Sequence, residues 1–234
     1  MHFPVKLETA TLLKRYKRFL ADVRLENGQE LTIHCPNSGS MRSCSEPGSP
    51  VCYSTSDNPK RKYPHTLEMV YNGATWIGVN TSRTNTIVAE ALESGRVEEF
   101  RKFDRLSKEV KTSEGSRLDM MLEYGEKKTF IEVKNCSLVE DGCALFPDAV
   151  TSRGTKHLVE LARLVSEGHA GVIFFLVQRF DGDRFSPAAS IDPLYARTLS
   201  KVVQHGVKIL AYQAQVTPES IEVVRRLPVI LEKK

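Results

Sequence analysis

Over the first eighty residues the apolar positions come in short runs, broken by Asn, Gly, Pro and Ser. Residues 18–25 and 29–35 flank Glu26-Asn27-Gly28, and an Asn-Gly pair between two apolar runs predicts a β-hairpin. Further short strands are expected over residues 51–53, 66–71 and 75–79. Five strands in so short a stretch predict a small β-barrel, for which an OB-fold is one architecture and nucleic acid a common ligand.

The period changes near residues 80–85. Ile87, Val88, Ala91 and Leu92 recur at helical spacing, and residues 106–111 then read as a strand. Residues 118–123 and 129–135 predict two strands joined by a turn at 124–128. A helix over 154–167 follows, with Leu158, Leu161, Ala162 and Val165 on one face. The unbroken apolar run 171–178 predicts a strand buried on both faces. Asp192 and Pro193 open a helix that runs to residue 205, and residues 207–216 give another strand. This order predicts an α/β domain with a mixed central sheet flanked by helices. The expected division is a barrel over residues 1–82 and the α/β domain over residues 83–234.

One polar pair breaks the apolar pattern of that domain. Glu132 and Lys134 lie two apart in a strand, so they share a face while Ile131 and Val133 take the other. The hairpin brings Asp119 near one end of the same face. Two carboxylates and a lysine at this spacing can hold a hard divalent cation and a water beside a phosphate. The plain alternative is an ion pair on an edge strand. Downstream, Asp148, Arg153, Lys156 and His157 gather where a loop feeds a helix. Helix starts favour anions, and Arg153 with Lys156 suits a phosphate. Capping and solvated charge form the alternative there, and a single helix histidine commonly packs or solvates. Asn37, Ser38 and Gly39 form a small polar stretch whose backbone N–H groups suit a phosphate, or a plain turn.

Composition narrows the setting. No apolar run approaches membrane length and no leader pattern is evident, which predicts the cytoplasm, with the nucleoid as one location. Five cysteines without a CxxC pair predict free thiols rather than a zinc site. The net charge of +4 is uneven: residues 1–82 carry 10 Lys and Arg against 7 Asp and Glu, the remainder 23 against 22. The excess lies in Lys14, Arg15, Lys17 and Arg18 around Tyr16, and in Lys60, Arg61 and Lys62 before Tyr63. Such clusters suit a DNA backbone with base stacking, or else solvated loops.

The order of elements, with Ser116-Arg117-Leu118-Asp119 and Glu132-Val133-Lys134, resembles the PD-(D/E)xK nuclease-like superfamily. That resemblance implies Mg²⁺ on Asp119, Glu132 and the Val133 carbonyl, with Glu90 as a further acidic contributor and Lys134 serving the water. Residues 34–41, 61–68, 79–81, 115–119 and 146–157 resemble, in order, the signature segments of the sugar fermentation stimulation protein A family. The family is bacterial and archaeal, and the resemblance implies DNA binding by an OB-like domain joined to a nuclease-like one. Three readings stand open: a DNA-binding protein of little sequence preference with a regulatory role, a Mg²⁺-dependent nuclease, and a non-catalytic scaffold for other proteins.

Overall fold

A computed structural model of the chain describes residues 1–231. The N-terminal sheet holds β1 (Glu8–Tyr16), β2 (Leu20–Arg24), β3 (Glu30–His34), β4 (Pro50–Thr55), β5 (His65–Tyr71) and β6 (Trp76–Gly78). Their order is β3-β2-β1-β4-β5-β6, and pairing of His34 with Thr66 joins β3 to β5, closing a five-stranded barrel. Gly28, at φ +84, turns the expected β2–β3 hairpin. The pattern of the sequence did not announce β1. A bulge between Leu12 and Lys14 interrupts its alternation, and its second half carries Lys14 and Arg15, which in sequence belong to a basic cluster.

The C-terminal half holds β7 (Arg105–Ser113), β8 (Ser116–Tyr124), β9 (Lys127–Cys136), β10 (Leu138–Glu140), β11 (Cys143–Phe146), β12 (Ala170–Val177), β13 (Arg184–Pro187), β14 (Lys208–Val216) and β15 (Ile221–Arg226). Its helices are α1 (Thr84–Glu93), α2 (Ser152–Ser166) and α3 (Pro193–Gln204). The large sheet runs β15-β14-β12-β9-β8-β7, and β10, β11 and β13 form a small second sheet. The large sheet is mixed: β12 lies parallel to β9 and β14, whereas β8, β7 and β15 run antiparallel to their neighbours. As expected, β12 is interior and buries Phe174 and Phe175 on opposite faces. Helix α1 and the barrel's Cys52 and Met69 cover one face; α2 and α3 cover the other. Asp192 joins the starts of those two helices. Its carboxylate caps α3 through the Tyr195 N–H (2.9 Å) and accepts the Thr151 N–H (2.8 Å), while the Thr151 hydroxyl caps α2. Among the described residues, no helix is long and apolar enough to cross a membrane.

The two parts are fastened at several points. The Gly78 N–H donates to the Gln178 carbonyl (2.8 Å), and Arg179 reaches Ser43 Oγ and the Ser137 carbonyl, both at 2.7 Å. The Met41 N–H donates to Asp148 (3.0 Å). Beside the junction, Glu68 is 1% exposed on β5 and holds Arg83, Asn80 and Ser54. Hydrogen bonds to both charged partners make such a buried pair tenable. One boundary differs from expectation: residues 1–7, assigned to the barrel, lie with the large sheet. Phe3 N–H meets the Glu219 carbonyl, and the Met1 side chain enters the core under α1.

Gly39 has no room for a side chain, since a Cβ there would come within 2.5 Å of both Asp148 carboxylate oxygens. Gly39→Ala is expected to cost about 1–3 kcal/mol through overpacking. That lowers the melting temperature by about 2–4 °C per kcal/mol in a chain of this size. An unchanged melting temperature in a calorimetric scan would show that the loop yields freely.

Candidate functional site

The site begins with an interruption in the sheet. The β8–β9 ladder runs from Tyr124–Lys127 to Met120–Ile131 and stops there. At that point β8 changes face: Met120 packs on the α1 side and Leu118 on the α2 side, opposite Glu109 of β7 at φ +54. The freed Val133 N–H donates to Asp119 Oδ2 (2.7 Å), and Asn85 of α1 donates to Oδ1 (2.8 Å). Asp119 thus sits in the opening between the strands. The N–H and C=O of one extended residue point to the same side, so the Val133 carbonyl also faces this opening.

Glu132 projects from β9 toward α2 and is 2% exposed. Its Oε1 contacts both Lys134 Nζ and His157 Nδ1, and Lys134 Nζ lies 3.3 Å from the same imidazole nitrogen. Arg153 Nε is 3.5 Å from the other imidazole nitrogen, the outer limit for an interaction. An ion pair on an edge strand is therefore excluded: β9 is interior and its carboxylate is buried. Burial pushes the Glu132 carboxyl up, but hydrogen bonding to His157 and the charge of Lys134 outweigh it and hold it below the ordinary range. Asp119 moves the other way. Burial, then the nearby Glu132 charge, raise it more than the Val133 and Asn85 hydrogen bonds lower it.

These groups lie in a cleft of about 560 Å³ walled by both parts of the chain. Arg18 and the Asn37–Gly39 loop form one side, and Asp148, Arg153 and His157 the other. The donor set suits a hard cation: Glu132 Oε2 is buried with no hydrogen-bond partner, and Asp119 and the Val133 carbonyl offer further oxygens. Among the described residues, no three His, Cys, Asp or Glu side chains form a metal cage by themselves. Mg²⁺ suits such a site because it commonly takes one or two carboxylates and keeps several waters.

Several expected residues stand elsewhere. Glu90 faces away from the cleft, exposed, with its carboxylate on the Met1 ammonium (2.8 Å). Five residues along a helix is some 140° of rotation, so Asn85 reaches Asp119 and Glu90 cannot. The backbone of the Asn37–Gly39 loop does not present the expected row of free N–H groups. Those of Asn37, Gly39 and Met41 are held by the Cys35 carbonyl, Asn37 Oδ1 and Asp148. Arg15 is likewise taken: its guanidinium donates to the carbonyls of Arg18, Asn37, Gly39 and Ser40. Lys14 pairs with Asp22 at 3.3 Å. Lys17 and Arg18 form an exposed turn with φ of +48 and +62, and only Arg18 lines the cleft. Lys60, Arg61 and Lys62 are exposed in the β4–β5 loop outside it, Arg61 donating to Thr66. Asn85 is the functional residue that sequence reasoning missed; a polar position on a helix otherwise read by its apolar face was its only signal. The five cysteines are free, and burial raises the Cys44 thiol to about 12.

A second groove of about 730 Å³ adjoins the cleft, with Arg153 and His157 common to both. It lies between the β7–β8 turn and the start of α2. Glu160 pins its walls by accepting from Ser113 Oγ (3.1 Å) and Arg163 (2.9 Å), while Arg163 donates to the Thr112 carbonyl.

Comparison with known proteins places this geometry in context. Residues 13–79 match the family model described as the SfsA N-terminal OB domain, and residues 82–220 match the sugar fermentation stimulation protein RE domain. A sugar fermentation stimulation protein homolog of Desulfotalea psychrophila is 55% identical over 99% of this chain and 95% of its own. One from Geobacter sulfurreducens is 52% identical over 98% of this chain and 99% of its own. The solved structure of Pyrococcus furiosus SfsA in complex with Ca²⁺ shares the fold, with a TM-score of 0.89, 23% identity and 98% of each chain covered.

The groove's pin responds to pH. Hydrogen bonds from Arg163, stronger than the opposing burial, hold the Glu160 carboxyl down at about 2. A depressed carboxyl stabilises the fold above its unfolded pKa, and that contribution disappears as pH falls through the folded value. Wild type should therefore exceed Glu160→Gln in stability above about pH 4.5. The two urea midpoints should converge as pH falls toward 2, and a constant gap across that window would contradict the assignment.

Proposed function

The chain belongs to the sugar fermentation stimulation protein family, and from that premise we propose that it binds DNA through the phosphate backbone and hydrolyses it at a divalent-metal site. The observation that carries this reading is the pairing of half-buried Asp119 with buried Glu132 beside Lys134, in a cleft also lined by Arg18 and Arg153. A site with two close carboxylates is relieved by a cation, and one with arginines on opposite walls by a polyanion. The SfsA of Pyrococcus furiosus was solved in complex with Ca²⁺, a cation of the same oxygen-seeking class.

Asp119, Glu132 and the Val133 carbonyl would hold Mg²⁺ or Mn²⁺. When bound, the ion supplies Lewis acidity and a water of lowered pKa. His157 fixes the orientation of Glu132 and leaves Oε2 directed away from its other contacts. Lys134, against Glu132, serves to orient the attacking water and offset charge gathering on the phosphate. Arg153 and Arg18 would hold neighbouring phosphates. Among the described residues no helix-turn-helix supplies a reading helix, so on this reading backbone contacts dominate and sequence preference is small. The same reading puts the protein in the cytoplasm, at the nucleoid, where backbone binding supports a regulatory role in sugar utilisation.

Two measurements test it. Affinity for unrelated DNA duplexes should be similar and fall steeply with salt, and Arg18→Ala or Arg153→Ala should make the salt slope shallower by about one each. Salt-insensitive or strongly sequence-selective binding counts against the grip. With Mg²⁺ or Mn²⁺ and a panel of single-stranded, duplex and branched DNA, Asp119→Ala and Lys134→Ala should lower cleavage by about 10²-fold or more. Cleavage unaltered in both variants points to a contaminant. Binding without cleavage under any of these conditions leaves the grip and removes the hydrolysis.

A further inference from the structure

We propose that the second groove is the track for the nucleic-acid strand on one side of the reacting phosphate, so that a full grip requires a strand extending past the cleft. This rests on the DNA reading above and extends it to the length of substrate engaged. The first support is continuity. Arg153 and His157 line both cavities, so a strand leaving the cleft beside Glu132 passes directly into the groove.

The second support is chemistry. The groove is lined by Arg117 and Ser116 from the β7–β8 turn and by Arg153, Thr155 and Lys156 from the start of α2. Guanidinium, ammonium and hydroxyl groups are the usual partners of phosphate oxygens. Two acidic residues also line it. Glu160 is paired with Arg163 and Ser113, and Glu114 is exposed. Arg117 is itself exposed and only loosely paired, 3.7 Å from Glu109. Apart from His157 the lining carries no aromatic ring, so bases have nothing to stack on. The groove therefore suits the backbone of a strand and is indifferent to its sequence.

The third support is that the groove is formed in advance. The Ser113–Glu160 and Arg163–Thr112 bonds tie the β7 end of the turn to α2, so the two walls of the groove are joined to each other. A preformed cationic channel next to a reacting centre loses little ordering entropy when a polyanion enters it.

The test uses the full chain and single-stranded oligonucleotides of graded length, with Ca²⁺ or no metal to prevent cleavage, read by fluorescence anisotropy. Wild type should gain affinity with length until the groove is filled. Arg117→Glu and Lys156→Ala should match wild type on the shortest oligonucleotides that fill only the cleft. On long ones each should lose about tenfold, with a salt slope shallower by about one for Lys156→Ala. Arg117→Lys should retain the length dependence, and Thr155→Lys should strengthen binding of long strands only. Melting temperatures of all variants check folding, and Arg117 is exposed enough to tolerate exchange. Inorganic phosphate, added as competitor, should displace long strands no better from wild type than from Arg117→Glu; selective displacement would assign the groove to free phosphate instead. If wild type binds no oligonucleotide, the DNA reading itself fails. If wild type binds and Arg117→Glu keeps the full length dependence, the groove assignment alone is overturned.

Discussion

Two carboxylates drawn together in one cleft is the constraint around which the rest of this molecule is arranged. Asp119 and Glu132 repel, and burial strengthens that repulsion by removing water. The surroundings offset it unequally. Glu132 receives a lysine and a histidine, whereas Asp119 receives two neutral donors, an amide of α1 and a backbone N–H. The result is one carboxyl held below its ordinary range and one raised above it. A sheet that paired regularly would not allow this, because the Val133 N–H would belong to the ladder.

Much of the fold could be read along the chain, because its elements are long and periodic. The β2–β3 hairpin, β12 and the helices α2 and α3 follow directly from turn chemistry, an unbroken apolar run and helical spacing. What escaped was irregular or short. A bulge disguised β1, and β10, β11 and β13 span three or four residues each. At the site, Glu132 and Lys134 were legible because a strand's alternation is local. The place of Asp119 near one end of that face was legible too; its seat in the opening between the strands was not, since β8 changes face between Leu118 and Met120. Glu90 and Asn85 show the same limit from the helix side: both are polar, and only packing decides which one turns inward. Arg15 shows it for charge, since nothing local reveals that four carbonyls already occupy a guanidinium.

Several of the segments that resemble the family's signatures carry residues that fasten the joint between the two parts. Glu68, Asn80 and Arg83 form a buried knot beside the junction, and Asn37, Gly39 and Asp148 seat one loop against the other domain. Their role is to fix the walls between which Glu132 lies. Asn37 and Asp148 thus line the cleft and at the same time hold its walls together.

Hydrogen bonds at Gly78, Arg179 and Asp148 fasten the barrel to the C-terminal part on both sides of the cleft. An enzyme whose jaws close selects its substrate by what permits closure. On the DNA reading, a cleft fastened in this way is the stiff partner, and the bending falls to the polymer. On the proposed reading, discrimination then falls to the nucleic acid's own mechanics: nicks, flaps, single strands and flexible steps enter at lower deformation energy than straight duplex, whatever bases they carry.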